Sequence, residues 1–169
     1  MGKRDDLGDI RRGPGGGYVY TGESYRVADG SQKSFRLSVL TLFLSAAFVV
    51  SAGLVRFPGM MNAFYVILPY VGAVCCVFAA AWRMVKLLVT ASSVRSYVLK
   101  RARSGLPLSA YALCAMSGLG LVCSAVFCIL NGTGSPVFCA AFFAVTAAYG
   151  VSGFLCARSF GKVVWEKTR

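Results

Sequence analysis

Hydrophobic and polar residues in this chain are gathered into long blocks instead of alternating. Leu37 to Val55 carries no charged residue. At about 1.5 Å per residue this block approaches the roughly 30 Å hydrocarbon core of a bilayer. Further uncharged blocks run from Asn62 to Trp82, from Leu108 to Leu130 and from Pro136 to Ala157. The pattern predicts an all-α polytopic membrane protein, a four-transmembrane-helix bundle spanning 37–55, 62–82, 108–130 and 136–157 within a domain of residues 37–157. Pro69 lies inside the second span, where it removes a backbone hydrogen bond and is expected to kink the helix near Tyr65 to Tyr70.

The connections between blocks are short. Arg56 to Met61 turns the chain with Pro58 and Gly59, and Asn131 to Ser135 makes the third and fourth spans a tight antiparallel hairpin. Neither connection is long enough to form a domain outside the membrane. Asn131-Gly132-Thr133 matches a glycosylation acceptor, but its place at the end of a span reads as turn chemistry. Cys128 and Cys139 flank this turn at similar depth, a geometry in which a disulfide is conceivable.

Before the first span, residues 1–36 are polar and Gly-rich. Residues 11–17 are expected to be flexible, since four glycines and a proline disfavour helix and strand alike. The runs Tyr18-Val19-Tyr20 and Tyr25-Arg26-Val27 flank Gly22 and read as a small hairpin. An isolated hairpin is marginal in water, so it needs a surface to dock on, the alternative being a disordered tail. The first long apolar run begins only at Leu37, which is not the pattern of a secretory signal.

Composition sharpens the picture. The chain is 57% hydrophobic and only 14% charged, with mean hydropathy +0.66, against about 25% charged in ordinary soluble domains. Gly30 to Trp165 contains no Asp or Glu. The net charge is +12, but the cations flank apolar blocks, so the expected role is orientation and not nucleic-acid binding. Lys3, Arg4, Arg11, Arg12, Arg26, Lys33 and Arg36 precede the first span. Arg83, Lys86, Arg95, Lys100, Arg101 and Arg103 lie between the second and third, and Arg158, Lys162, Lys167 and Arg169 follow the fourth; Arg56 alone falls on the other side. This asymmetry places the N- and C-termini, including the basic 158–169 tail, and the 83–106 segment in the cytoplasm, with the protein multi-pass in the cell membrane.

Candidate chemistry is sparse. There is no His, and the seven cysteines all lie in apolar blocks without a CxxC pair, so no catalytic, metal or cofactor site is expected and the chain is read as a non-enzyme. No Asp, Glu, Lys, Arg or His falls within a predicted span, which argues against a self-sufficient pump or coupled carrier. Between Arg83 and Arg101, polar positions recur every three or four residues, predicting an amphipathic basic helix. Arg83, Lys86, Arg95, Lys100, Arg101 and Arg103 would meet anionic headgroups of membrane lipids on the cytoplasmic side, serve topology alone, or dock an acidic partner.

Small residues mark a thin face on each span, clearest at Ala140, Ala144, Ala148 and Ser152. Such faces admit close helix packing, either within the bundle or against another membrane protein subunit. Asn62, Tyr65, Pro69 and Tyr70 combine polar groups, aromatics and a helix break, and are the expected ligand or helix-contact site.

Two functions follow as expectations. The first is a non-catalytic accessory or scaffold subunit of a larger membrane complex, one form of which is a transport system. The second is a substrate-binding membrane component of a transporter for a neutral or apolar small molecule, energised by a separate protein.

Overall fold

The computed structural model describes residues 10–12, 18–20, 23–57, 59, 62–90, 94–132 and 135–168. Three short strands come first, β1 (Ile10–Arg12), β2 (Tyr18–Tyr20) and β3 (Ser24–Val27), followed by a single 3-10 turn at Asp29–Ser31. The helices are α1 (Gln32–Leu54), α2 (Phe64–Val89), α3 (Ser96–Asn131) and α4 (Pro136–Gly161). Strand β4 (Val94–Arg95) lies between α2 and α3, and β5 (Trp165–Thr168) follows α4. All four helices are long and apolar enough to cross a membrane.

Local chemistry sets the helix ends. Asp29 sits in the turn that leads into α1 and accepts from Gln32 Nε2 at 3.1 Å, placing a carboxylate where the helix dipole favours it. Pro136 opens α4, where its missing N–H costs nothing. Gly132 ends α3 with a φ of 75°, and its N–H donates to Cys128 O; glycine reaches that φ without a Cβ clash. Both α2 and α3 run through an internal proline, Pro69 and Pro107.

Around the bundle, α1 packs along α4, α4 along α3, and α3 along α2, while α1 and α2 touch least. Small and hydroxyl-bearing side chains make the close contacts. Ser45 and Ser152 hydroxyls lie 2.8 Å apart, Ser38 donates to Ser159 Oγ at 3.1 Å, and Cys156 Sγ reaches Ser38 O. Across α3 and α4, Ser117 donates to Thr146 O at 2.7 Å. Many of these hydroxyls also bond to a carbonyl one turn back on their own helix, as Ser38, Thr41 and Ser45 do. At one end Phe57 stacks on Phe142 with ring centroids 4.7 Å apart. At the other, Leu87, Val94, Leu99, Leu106 and Phe160 form a buried cluster against which Tyr25, Phe35 and Trp165 pack.

On that second cluster lies a three-stranded sheet of order β4-β3-β5, antiparallel throughout. Its strands come from before α1, between α2 and α3, and after α4. The three basic segments of the chain therefore meet at one end of the bundle. The start of α1 is bound to the same end by a second connection. Ala28 N donates to Val164 O, and Val164 N donates to Ser31 Oγ, each at 3.1 Å.

The structure departs from the sequence expectation in three places. The two runs expected to form a hairpin with each other are both strands, but β2 pairs with β1, and β3 pairs with β4 and β5. A two-stranded ribbon buries little, whereas β3 gains partners on both edges and an apolar cluster beneath. The segment 83–106 is not one amphipathic helix: α2 ends at Val89, β4 intervenes, and α3 begins at Ser96. At about 1.5 Å per residue α3 is roughly 54 Å long and extends well beyond a bilayer core. The face of α4 expected to pack also differs. Ala140 and Ala144 are exposed and Ala148 half-buried; only Ser152 is buried, and the contact runs through Cys139, Phe142, Thr146, Tyr149, Gly150, Gly153 and Cys156. The expected flexible segment falls largely on residues 13–17, outside the described residues, as do Pro58 and Thr133. Cys128 and Cys139 are free thiols in contact with each other.

Close approach at Gly150 is testable. A Cβ there would collide with Ser117 Oγ and lie 2.7 Å from Ser117 Cβ, whereas at Gly118 it would meet nothing within 4 Å. Gly150→Ala is expected to destabilise the bundle by about 1–3 kcal/mol, and Gly118→Ala to change it by less than about 0.5 kcal/mol. Reversible unfolding in detergent micelles reads both.

Candidate functional site: a cation-lined end of the bundle

At the sheet end, three of the four seams between neighbouring helices open into clefts lined by cations. The α2–α3 cleft, about 220 Å³, is lined by Trp82, Arg83, Lys86, Tyr97 and Arg101 among others. The cleft between α3, α4 and the sheet is about 420 Å³, with Lys100, Arg103 and Lys162 beside Tyr25 and Trp165. The α4–α1 cleft, about 260 Å³, contains Ser34, Arg158, Ser159 and Lys162. Among the described residues, no carboxylate lines any of them. The fourth seam, α1–α2, is wholly apolar, lined by Leu42, Phe43, Ala46, Met84, Val85 and Leu88.

The cations differ in what already engages them. Arg83 is an internal clamp: its Nη1 donates to Gly105 O at 2.8 Å and Ser109 Oγ at 3.0 Å, holding α2 to α3 on either side of Pro107. Lys86 Nζ lies 4.9 Å above the Trp82 ring, a cation–π geometry. Arg95 is exposed on β4, opposite Ser24. Arg101 faces the α2 side of α3, while Lys100 and Arg103 face α4 and the sheet. The six basic residues singled out in the sequence thus divide among a clamp, a strand and two clefts.

Arg158, Lys162, Tyr25 and Trp165 complete these clefts and were not among the expected site residues. The run Val163-Val164-Trp165 carries β-favouring side chains and could have revealed β5. Trp165 is fixed edge-on to Phe35, with centroids 6.0 Å apart.

Glu23 carries a carboxylate at the edge of the sheet beside the larger cleft. Glu23 is exposed and pairs with Lys167 Nζ at 2.5 Å and with the Tyr25 hydroxyl at 2.6 Å. The Lys167 hydrogen bond, the Tyr25 hydroxyl and the nearby charges of Lys167 and Lys100 hold Glu23 below its ordinary pKa of 4.5. Lys167, bonded to Glu23, is raised above 10.5. The charge of Glu23 is thereby compensated by a strand-to-strand contact between β3 and β5.

The other expected site does not converge. Asn62 and Tyr65 are exposed, Pro69 is buried facing Gly120 of α3, and Tyr70 turns toward α1. The Tyr70 hydroxyl donates to Val49 O at 3.2 Å and covers Gly53. These contacts join helices. Among the described residues, no three His, Cys, Asp or Glu side chains come together.

Glu23 has its pKa depressed, so its share of β5 docking is complete above pH 4.5 and is lost as pH falls through the lowered value. Lys167 has its pKa raised, so its share is complete below pH 10.5 and is lost as pH rises through the raised value. Trp165 fluorescence in a Trp82→Phe background should stay constant between these limits, with an acid transition centred below pH 4.5. Lys167→Gln should move that transition upward toward 4.5.

The chain matches no protein-family model, no curated protein and no solved structure.

Proposed function

We propose that this protein is a multi-pass, non-catalytic subunit of the cell membrane, which joins a larger membrane complex through the exposed side of α4. In this reading the sheet and the cation-lined clefts face the cytoplasm. The support for orientation is electrostatic. From Glu23 onward, every described cation except Arg56 lies on the segments that meet at the sheet end, and positive flanks are retained on the cytoplasmic side.

The observation that carries the assembly role is the stripe Ala140, Ala144 and Ala147, exposed along α4 next to half-buried Ala148. Between helices in lipid there is little hydrophobic driving force, so association depends on small residues that let backbones approach. This bundle makes its own close contacts with a different side of α4. The stripe is left facing outward, flanked by the exposed side chains of Val137, Val151 and Phe154. A partner helix with a similar small-residue face fits it. A substrate-binding role finds less support, because Tyr65 and Tyr70 point in different directions and the Tyr70 hydroxyl is already bonded.

The test is purification of the tagged full-length chain from its own membrane in mild detergent. The wild type is expected to recover a stoichiometric membrane partner, and Ala140→Leu with Ala144→Leu to lose it by tenfold or more without lowering abundance. Leucine is as lipophilic as the surface it replaces, so folding is spared. Undiminished recovery by the double variant, or a wild-type chain that purifies alone, contradicts the proposal.

A further inference from the structure

We infer that the cleft between α3, α4 and the sheet is a discrete binding site for the phosphate headgroup of an anionic phospholipid. The inference rests on the sheet end lying at a membrane surface, but not on the assembly role of α4.

The chemistry of the cleft selects an anion. Lys100 and Arg103 enter from successive turns of α3, and Lys162 from the end of α4. Arg103 supplies a planar fork suited to two phosphate oxygens, and the lysines supply point charges on flexible stems. Glu23 is engaged chiefly by Lys167 and the Tyr25 hydroxyl, with Lys100 acting on it only through its charge, and no carboxylate among the described residues lines the cleft. At about 420 Å³ the space suits a headgroup.

The surroundings select a lipid over a free anion. Leu99, Val163 and Val164 also line the cleft. Below it, the outward faces of α3 and α4 present Leu108, Tyr111, Phe154 and Leu155, all exposed and apolar. A headgroup seated among the cations would lay its acyl chains along those faces. Trp165 and Tyr25 supply amphipathic rings of the kind that settle at headgroup depth. Lys162 also lines the neighbouring α4–α1 cleft beside Arg158, so the charge is continuous around this edge of the bundle. The α2–α3 cleft is a weaker candidate, since Arg83 is bonded to α3 and Lys86 lies over Trp82.

The test uses the full-length chain in neutral phosphatidylcholine nanodiscs, titrated with short-chain phosphatidylglycerol and read by Trp165 fluorescence in the Trp82→Phe background. Saturable binding is expected. Lys100→Gln, Arg103→Gln and Lys162→Gln should each weaken it about fivefold, equivalent to about 1 kcal/mol per cation near a surface. A matched triple variant at the same end, Lys86→Gln, Arg95→Gln and Arg101→Gln, should change it less than twofold. Inorganic phosphate at millimolar concentration should not compete. Arg103→Lys should fall between wild type and Arg103→Gln, which separates loss of the fork from loss of folding.

Equal weakening by the matched triple variant overturns the inference in favour of a diffuse surface charge. Competition by inorganic phosphate at similar affinity overturns it in favour of a free-anion site. Non-saturable binding overturns it as well. The Ala140→Leu and Ala144→Leu variant should bind the lipid unchanged, so failure here is distinct from failure of the assembly role.

Discussion

The three-stranded sheet is the constraint on which the rest of this structure depends. Its strands come from before the first helix, from between the second and third, and from after the fourth. Hydrogen bonds among them require all three segments to lie at the same end, which an even number of alternating helices also demands. Two independent features therefore agree: the count of helices and the pairing of strands. Charge agrees as well, since Arg26 stands opposite Glu166 in the register of β3 and β5 and Lys167 pairs with Glu23. Beneath the sheet, Val94 is fully buried and Leu87, Leu99 and Leu106 close the floor. The sheet is an anchored cap, and the cations are arranged around its rim.

Within the bundle, specificity comes from small polar groups. Serine hydroxyls bond to their own helix and, at three heights, across to α4. Such bonds contribute on average about 0.6 kcal/mol each in lipid, so their role is to set register as much as to add stability. Glycines at positions 150 and 153 lie against Ser117, Leu113 and the Ala110 carbonyl, where a side chain would not fit. The weak seam is α1–α2, apolar throughout and bridged chiefly by Tyr70 on Gly53 near its far end. Among the described residues, the buried Ser124 hydroxyl finds no hydrogen-bond partner. The bundle is thus tight along α1–α4 and α3–α4, and looser along α1–α2.

Much of this was legible in the sequence, for a simple reason. An uncharged run of about 20 residues can satisfy its backbone in hydrocarbon only as a helix, and four such runs gave four helices. What hydropathy could not show was where a helix continues beyond its apolar run. The first turns of α3 carry Lys100, Arg101 and Arg103 and precede Pro107, and both features argue for a boundary that tertiary contact overrides. Which small residues of α4 pack inside the bundle was not legible, because such residues recur at Ala140, Ala144 and Ala148 and again at Gly150 and Gly153, and spacing alone does not say which series meets a neighbour within the chain. Ser38, Ser45, Ser152 and Ser159, each seven residues from its mate, were the better signal, since a repeated hydroxyl seeks an acceptor. Strand β5 was hidden by its own charges: Glu166 and Lys167 looked like a solvated tail, and only the complementary charges of Arg26 and Glu23 reveal the pairing. The basic clefts were half-visible for the same reason, with Lys100 and Arg103 singled out but Lys162 and Trp165 counted only as charge and tail.

The central claim, that the four helices span a bilayer with the sheet on a single, cytoplasmic side, is tested most directly by chemical access. In a cysteine-free background, single cysteines at Arg95, Thr168 and Asn62 would be challenged in intact cells with a membrane-impermeant maleimide. The account predicts labelling at position 62 in intact cells, and labelling at 95 and 168 only after permeabilisation. Labelling of 95 and 168 on opposite sides, or of all three before permeabilisation, would contradict it.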